Sequence, residues 1–211
     1  MITIETKNLT KKIGNDIILN NVSTKFENMK IYGIVGRNGS GKTMFLKSLC
    51  GFLTPTSGTV IINKKDIYKD GSFANNIGLS FSNSNYIKEL TGLENLELVA
   101  SINKKISKKD IIEALKKVNL FSEKDKKYSK YSLGMRQKLD IAQAIMENPD
   151  ILLLDEPFNG LDNESVLLIK KMLLEFKKNG KTIIIATHIK EDIENFCDEV
   201  IRFDAGSIIN K

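Results

Sequence analysis

Apolar positions change their period several times along the 211-residue chain, and each change predicts an element. Near the amino terminus two stretches alternate apolar and polar residues: Ile2-Thr3-Ile4-Glu5, and Ile17-Ile18-Leu19 continuing through Val22 to Phe26. The loop Lys11-Lys12-Ile13-Gly14-Asn15-Asp16 lies between, so a small antiparallel ribbon is expected. Ile31-Tyr32-Gly33-Ile34-Val35 is a short continuous apolar run and predicts a buried strand. Residues 44–50 are apolar at helical spacing and are stopped by Gly51. Thr54-Pro55-Thr56-Ser57-Gly58 is a turn, followed by short strands at 59–62 and 77–81.

From about Leu90 to Glu147 the period is helical, with no strand signal. One helix carries Leu93, Leu96, Val99 and Ala100 on its apolar face. A second starts after Ser107, a good N-cap, and presents Ile111, Ile112, Leu115 and Val118. A third runs from about Leu133 to Met146, ahead of Pro149. Strands then resume. Ile151-Leu152-Leu153-Leu154 and Thr182-Ile183-Ile184-Ile185-Ala186 are apolar at nearly every position, as expected of central parallel strands covered on both faces. Between them residues 163–178 form a helix that stops at Asn179-Gly180. A short helix is expected over 190–197, and residues 199–203 and 207–210 close as a hairpin around Ala205-Gly206. The pattern is an α/β core, residues 1–84 and 148–211, interrupted by a helical subdomain at 85–147.

Composition adds limits. At 41% apolar and 27% charged, the chain has the make-up of a soluble domain with a real core. It contains no run of about 20 apolar residues and no basic-then-apolar leader, so any membrane crossing falls to other chains. Cys50 and Cys197 read as small buried thiols. The net charge of +6 comes from lysines scattered along the chain, clustered locally at 104–109 and 124–130. Without a basic stripe and interleaved aromatics they are solvated faces, and no nucleic-acid partner is expected.

The chemistry starts at Gly36-Arg37-Asn38-Gly39-Ser40-Gly41-Lys42-Thr43, set between a strand and a helix. Gly36, Gly39 and Gly41 let successive backbone N–H groups turn toward a phosphate, with Asn38 and Ser40 in the same loop. The new helix adds its unpaired amides and positive dipole end. Lys42 is placed to reach β- and γ-phosphates, and the Thr43 hydroxyl to ligate Mg²⁺. Asp155-Glu156 follows the buried strand at 151–154; one carboxylate can hold the water shell of the Mg²⁺, and the next can orient a hydrolytic water. A nucleoside triphosphate is the expected ligand.

With Tyr131-Ser132-Leu133-Gly134-Met135-Arg136-Gln137-Lys138, Leu154-Asp155-Glu156-Pro157, Asn159-Gly160-Leu161-Asp162 and His188, the chain resembles ABC-type ATPases from end to end. It is most similar to the nucleotide-binding subunits of bacterial antimicrobial-peptide or lantibiotic exporters and self-protection transporters. The resemblance implies ATP and Mg²⁺ as cofactors, a P-loop ATPase core and a head-to-tail dimer, homomeric or with a second ABC ATPase. It implies that Ser132, Leu133 and Gly134 face the partner's nucleotide across the interface, that Asp162 crosses that interface, and that Asp155 holds Mg²⁺ through water. Glu156 is then the general base and His188 the γ-phosphate ligand. The partner chain is a membrane permease, which leaves this subunit cytoplasmic and peripheral on the inner face of the membrane. Its contact is expected around residues 82–89 and 90–98, with Asn85-Tyr86-Ile87 as an apolar tip.

Five positions depart from the family pattern. Ile13 stands where an aromatic ring stacks on adenine, and Ser82 where a glutamine reads Mg²⁺. Leu133 and Met135 replace glycine and glutamine in the signature, and Met44 replaces a second hydroxyl. Two further readings are open at this point: a non-transport ABC ATPase, and a nucleotide-gated dimerisation module.

Overall fold

The computed structural model describes residues 3–69, 76–81 and 85–210. Strands β1 (Thr3–Ile13) and β2 (Asp16–Glu27) form the amino-terminal ribbon. They are longer than their alternation suggests, because only Gly14 and Asn15 separate them. Pairing persists through residues 11–13, with Lys12 opposite Ile17 and Ile13 opposite Asp16. β4 (Ser57–Ile62) and β5 (Lys65–Asp66) complete a four-stranded antiparallel sheet in the order β2-β1-β4-β5, once β3 (Ile31–Val35) and α1 (Lys42–Leu49) have intervened.

The second sheet adds β6 (Ile77–Ser80), β7 (Ile151–Asp155), β8 (Thr182–Thr187), β9 (Glu199–Asp204) and β10 (Ser207–Asn210), in the order β10-β9-β3-β8-β7-β6. All its pairings are parallel except the closing hairpin β9–β10. Each central strand divides its side chains between two apolar cores. Ile31, Val35, Leu152, Leu154, Ile183 and Ile185 face one of them. Tyr32, Ile34, Ile151, Leu153, Ile184 and Ala186 face the other. Period-2 geometry thus explains why these runs are apolar throughout.

The first core is capped by α2 (Gly92–Asn103), α3 (Lys108–Lys117), α4 (Leu133–Ile145) and α5 (Asn163–Lys178); the second lies between the two sheets around α1. Thr91 opens α2 as a capping box with Glu94. At the start of α3 the Asp110 carboxylate accepts from both the amide and the hydroxyl of Ser107. The three middle helices therefore share an apolar core with the large sheet instead of building one of their own.

The helix expected over 190–197 does not form. Lys190–Asp192 is one 3-10 turn, followed by isolated turns. The segment must return to β9 while Ile193 inserts, fully buried, above Gly33, and eight residues do not carry the cost of helix nucleation under that constraint. Cys197 packs there too. Burial pushes its thiol up to about 12 and that of Cys50 up to about 11, and both are free.

Candidate active site

The glycine loop leaves the carboxyl end of β3 and enters α1. Gly36 is wedged: a Cβ on it would stand 2.3 Å from the Phe203 carbonyl oxygen and 2.6 Å from Ser40 Oγ. Asn38 and Gly39 are exposed at the tip of the loop, and Ser40 is buried. Gly41 caps α1 at φ 101°, and its carbonyl accepts from the Phe45 amide at 2.8 Å. Lys42, the first residue of the helix, is only 5% exposed. Its ammonium donates to the carbonyls of Gly36 (2.8 Å) and Arg37 (3.1 Å). Burial lowers its pKa, opposed by the charges of Glu156 and Asp155. Neutral carbonyls thus solvate the charge in place, and an anion arriving at the loop can replace them as acceptor for the ammonium.

β7 lies beside β8, so residues 155–156 meet residues 186–188. The Thr43 hydroxyl donates to Asp155 Oδ2 at 2.7 Å, joining the start of α1 to the end of β7. Asp155 is 4% exposed, and burial raises its pKa against the pull of Thr43 and Lys42. Glu156 follows at φ 49°, a left-handed conformation uncommon for a glutamate. Its amide donates to the Ala186 carbonyl at 2.8 Å. Oε2 accepts from Thr187 Oγ1 at 2.9 Å, and Oε1 lies 2.9 Å from His188 Nδ1.

Thr43 with Asp155, and Thr187 and His188 with Glu156, therefore form two hydrogen-bonded groups side by side, joined through the consecutive residues 155 and 156. The other sequence candidates lie elsewhere. Ile13 is half-exposed beside the equally exposed Ile17 at the tip of the amino-terminal hairpin. Ser132 caps α4 and accepts from the Met135 amide at 3.2 Å; Leu133 is exposed, and Gly134 rests against the Gly160 carbonyl. These residues and Asp162 line a shallow cavity of about 360 Å³. Asp162 caps α5, and the Ser165 amide, 2.8 Å away, holds its carboxyl below the usual range. Ser82 lies outside the described residues. Of the Asn85-Tyr86-Ile87 tip, Tyr86 turns inward against the Tyr128 ring at 5.0 Å, while Ile87 is exposed.

Three contributors were not anticipated from the sequence. Thr187 reaches Glu156, and its position at the polar end of an apolar run, beside His188, was the available signal. Gly206 donates its amide to the Ser40 carbonyl at 2.9 Å, so the carboxyl-terminal hairpin braces the loop; only its turn was legible. Asn95, 2% exposed on α2, accepts from the Ile87 amide and donates to the Ile87 and Thr91 carbonyls, fixing the backbone beside the tip.

The ABC transporter family model matches residues 19–159, two-thirds of the chain. The chain belongs to the ABC transporter family. YybJ of Bacillus subtilis, an uncharacterized ABC transporter ATP-binding protein, is 44% identical over 97% of this chain and 94% of its own length. BcrA of Enterococcus faecalis, a bacitracin transport ATP-binding protein, is 38% identical over 99% of this chain and 68% of its own. The dimeric structure of MJ0796, a bacterial ABC transporter cassette, superposes with a TM-score of 0.86 at 28% identity, covering 98% of this chain and 97% of that one. As an ABC cassette the chain is an ATP-binding ATPase subunit, and its α/β fold is the one its motifs imply. No helix among the described residues is long and apolar enough to cross a membrane.

Proposed function

We propose that this ABC ATPase powers a separate membrane permease that exports peptide or drug-like cargo, sitting on the inner face of the membrane as a peripheral subunit. The observation that carries the catalytic part is the Thr43–Asp155 pair beside a Glu156 held on both oxygens. Lys42 exchanges the Gly36 and Arg37 carbonyls for the β- and γ-phosphates, and the loop amides and the start of α1 complete the cradle. Thr43 and Asp155 offer two hard oxygen donors side by side, a set that fits Mg²⁺. Mg²⁺ bound there supplies charge neutralisation for the phosphates. Glu156 accepts the proton of the attacking water, and His188 orients the carboxylate and hydrogen-bonds the γ-phosphate.

Turnover on this reading requires a second cassette. Ser132, Leu133 and Gly134 meet the partner's nucleotide, with the amino end of α4 directed at its γ-phosphate, and Asp162 lies at the same interface. An exposed Leu133 and the shallow cavity beside it support that surface. Residues 85–147 act as the helical signature subdomain between the core segments 1–84 and 148–211. The permease docks around residues 82–98, where Ile87 and Leu98 are exposed; a groove of about 570 Å³ includes Phe52 and Leu79 of the core and Val99 and Ile102 of α2. Export of peptide cargo is supported by the likeness to BcrA, whose name assigns it bacitracin transport.

The test is ATP turnover of purified wild-type and Glu156→Gln protein at rising concentration. Turnover that rises faster than linearly and is lost in the variant supports a dimeric site with Glu156 as base. Undiminished turnover by the variant refutes the base assignment.

A further inference from the structure

We infer that Thr187 is a positioning residue for hydrolysis, holding the Glu156 carboxylate in the orientation from which it takes the proton of the attacking water. This rests on the reading of Glu156 as the base. A glutamate has three side-chain torsions, so a base on this side chain needs fixed partners to present one oxygen to water. Here both oxygens are held from the same strand end. Thr187 Oγ1 donates to Oε2 at 2.9 Å, while His188 Nδ1 lies at Oε1.

The direction of the threonine bond follows from its other contact. Thr187 Oγ1 accepts from the Ile189 amide at 3.1 Å, so its single proton is left to point at the carboxylate. Thr187 is 2% exposed, and water does not replace its hydroxyl freely. Its backbone is fixed on both sides: it pairs with Val35 across β3–β8, and its carbonyl accepts from the Gly36 amide at 3.4 Å. Thr187 therefore ties the glycine loop, the β8 end and Glu156 together. His188 is 36% exposed at its side chain and free to turn toward a phosphate; Thr187 is the buried partner that keeps Glu156 in place when it does.

The experiment compares Thr187→Val, Thr187→Ser and Glu156→Gln in the full chain. Thr187→Val is expected to lower kcat about tenfold or more, with KM for ATP within about twofold, because a group acting through the base acts in the transition state. Thr187→Ser, which retains the hydroxyl, is expected to restore kcat to within about threefold of wild type. A second readout is independent of turnover: ATP-driven dimerisation of Glu156→Gln protein, followed by size-exclusion chromatography. Adding Thr187→Val in that background should leave dimerisation unchanged. Wild-type kcat in Thr187→Val overturns the inference while leaving Glu156 as base. Equal losses in the Val and Ser variants, or a shift in dimerisation, assign Thr187 to packing of the loop and overturn it too. Turnover retained by Glu156→Gln instead removes the base reading, and this inference with it.

Discussion

Gly206→Ala tests whether the far end of the chain sets the shape of the nucleotide loop. Gly206 sits at φ 76° in the β9–β10 turn, where its amide donates to the Ser40 carbonyl at 2.9 Å. Its own carbonyl accepts from the Asn20 amide at 2.8 Å. An added Cβ would lie 2.5 Å from the Ile18 carbonyl oxygen and 3.0 Å from Ile18 C, both rigid backbone atoms of β2. The hairpin must retreat by most of an ångström, pulling on both hydrogen bonds. The left-handed conformation costs a side-chain-bearing residue about 1–2 kcal/mol. Weakening two backbone bonds adds about 1–2 kcal/mol. For a chain of this size each kcal/mol lowers Tm by about 2–4 °C, so a fall of roughly 5–15 °C is expected. Gly180→Ala is the control, since Gly180 has φ 86° and open space around its Cβ position. It should lose only the conformational part and bind ATP normally. Gly206→Ala should unfold earlier than the control and bind ATP about 10- to 100-fold more weakly, the worth of one charge-assisted loop–phosphate bond. Thermal scans and equilibrium ATP binding measure both effects. If Gly206→Ala loses no more stability than Gly180→Ala and keeps wild-type ATP affinity, the hairpin does not brace the loop.

Asp155→Asn should abolish turnover yet raise the Tm of the nucleotide-free protein. Burial raises the Asp155 pKa, so its charged form is penalised in the fold at every pH above that raised value. The gain in Tm should therefore be full above it and shrink as pH falls toward the ordinary aspartate value of 3.8, a profile read by thermal scans across pH. Ile13→Tyr should tighten ATP by about 2- to 10-fold and sharpen selection for adenine over other bases in competition binding. An aromatic ring adds about 0.5–1.5 kcal/mol of stacking that the half-exposed isoleucine lacks.

The sheet was readable because its signal is local. Ile151–Leu154 and Thr182–Ala186 are apolar throughout, since neighbouring side chains enter opposite cores, and periodicity reports that directly. Asp155 and His188 stand out for a similar reason, each at or just past the end of a buried strand, and Lys42 stands out because it opens a helix directly after the glycine loop. Contacts made by short polar groups with backbone outside their own element left no such trace. Asn95 looks like any polar helix residue until the Ile87 backbone is found against it. The Ser40–Gly206 bond spans most of the chain. The expected helix at 190–197 fails on the same ground, because burial of Ile193 over Gly33 is a tertiary demand that the local pattern does not carry.

The departures from ordinary behaviour gather where the chemistry is. Lys42 is buried with its pKa lowered, Asp155 is buried with its pKa raised, and Glu156 holds a left-handed backbone at the end of a buried strand. Other side-chain-bearing residues at positive φ, such as Lys64 and Lys104, lie in exposed turns, where that conformation is inexpensive to accommodate. Each of the three works against stability in the nucleotide-free chain, and the surrounding sheet must over-determine them. An incoming triphosphate reverses the sign of two. It gives Lys42 the anion its burial denies it, and a cation held with the phosphates gives Asp155 the positive charge that burial makes it need. Nucleotide should therefore stabilise this protein by relieving part of the burial cost of both charges, in addition to the contacts it makes.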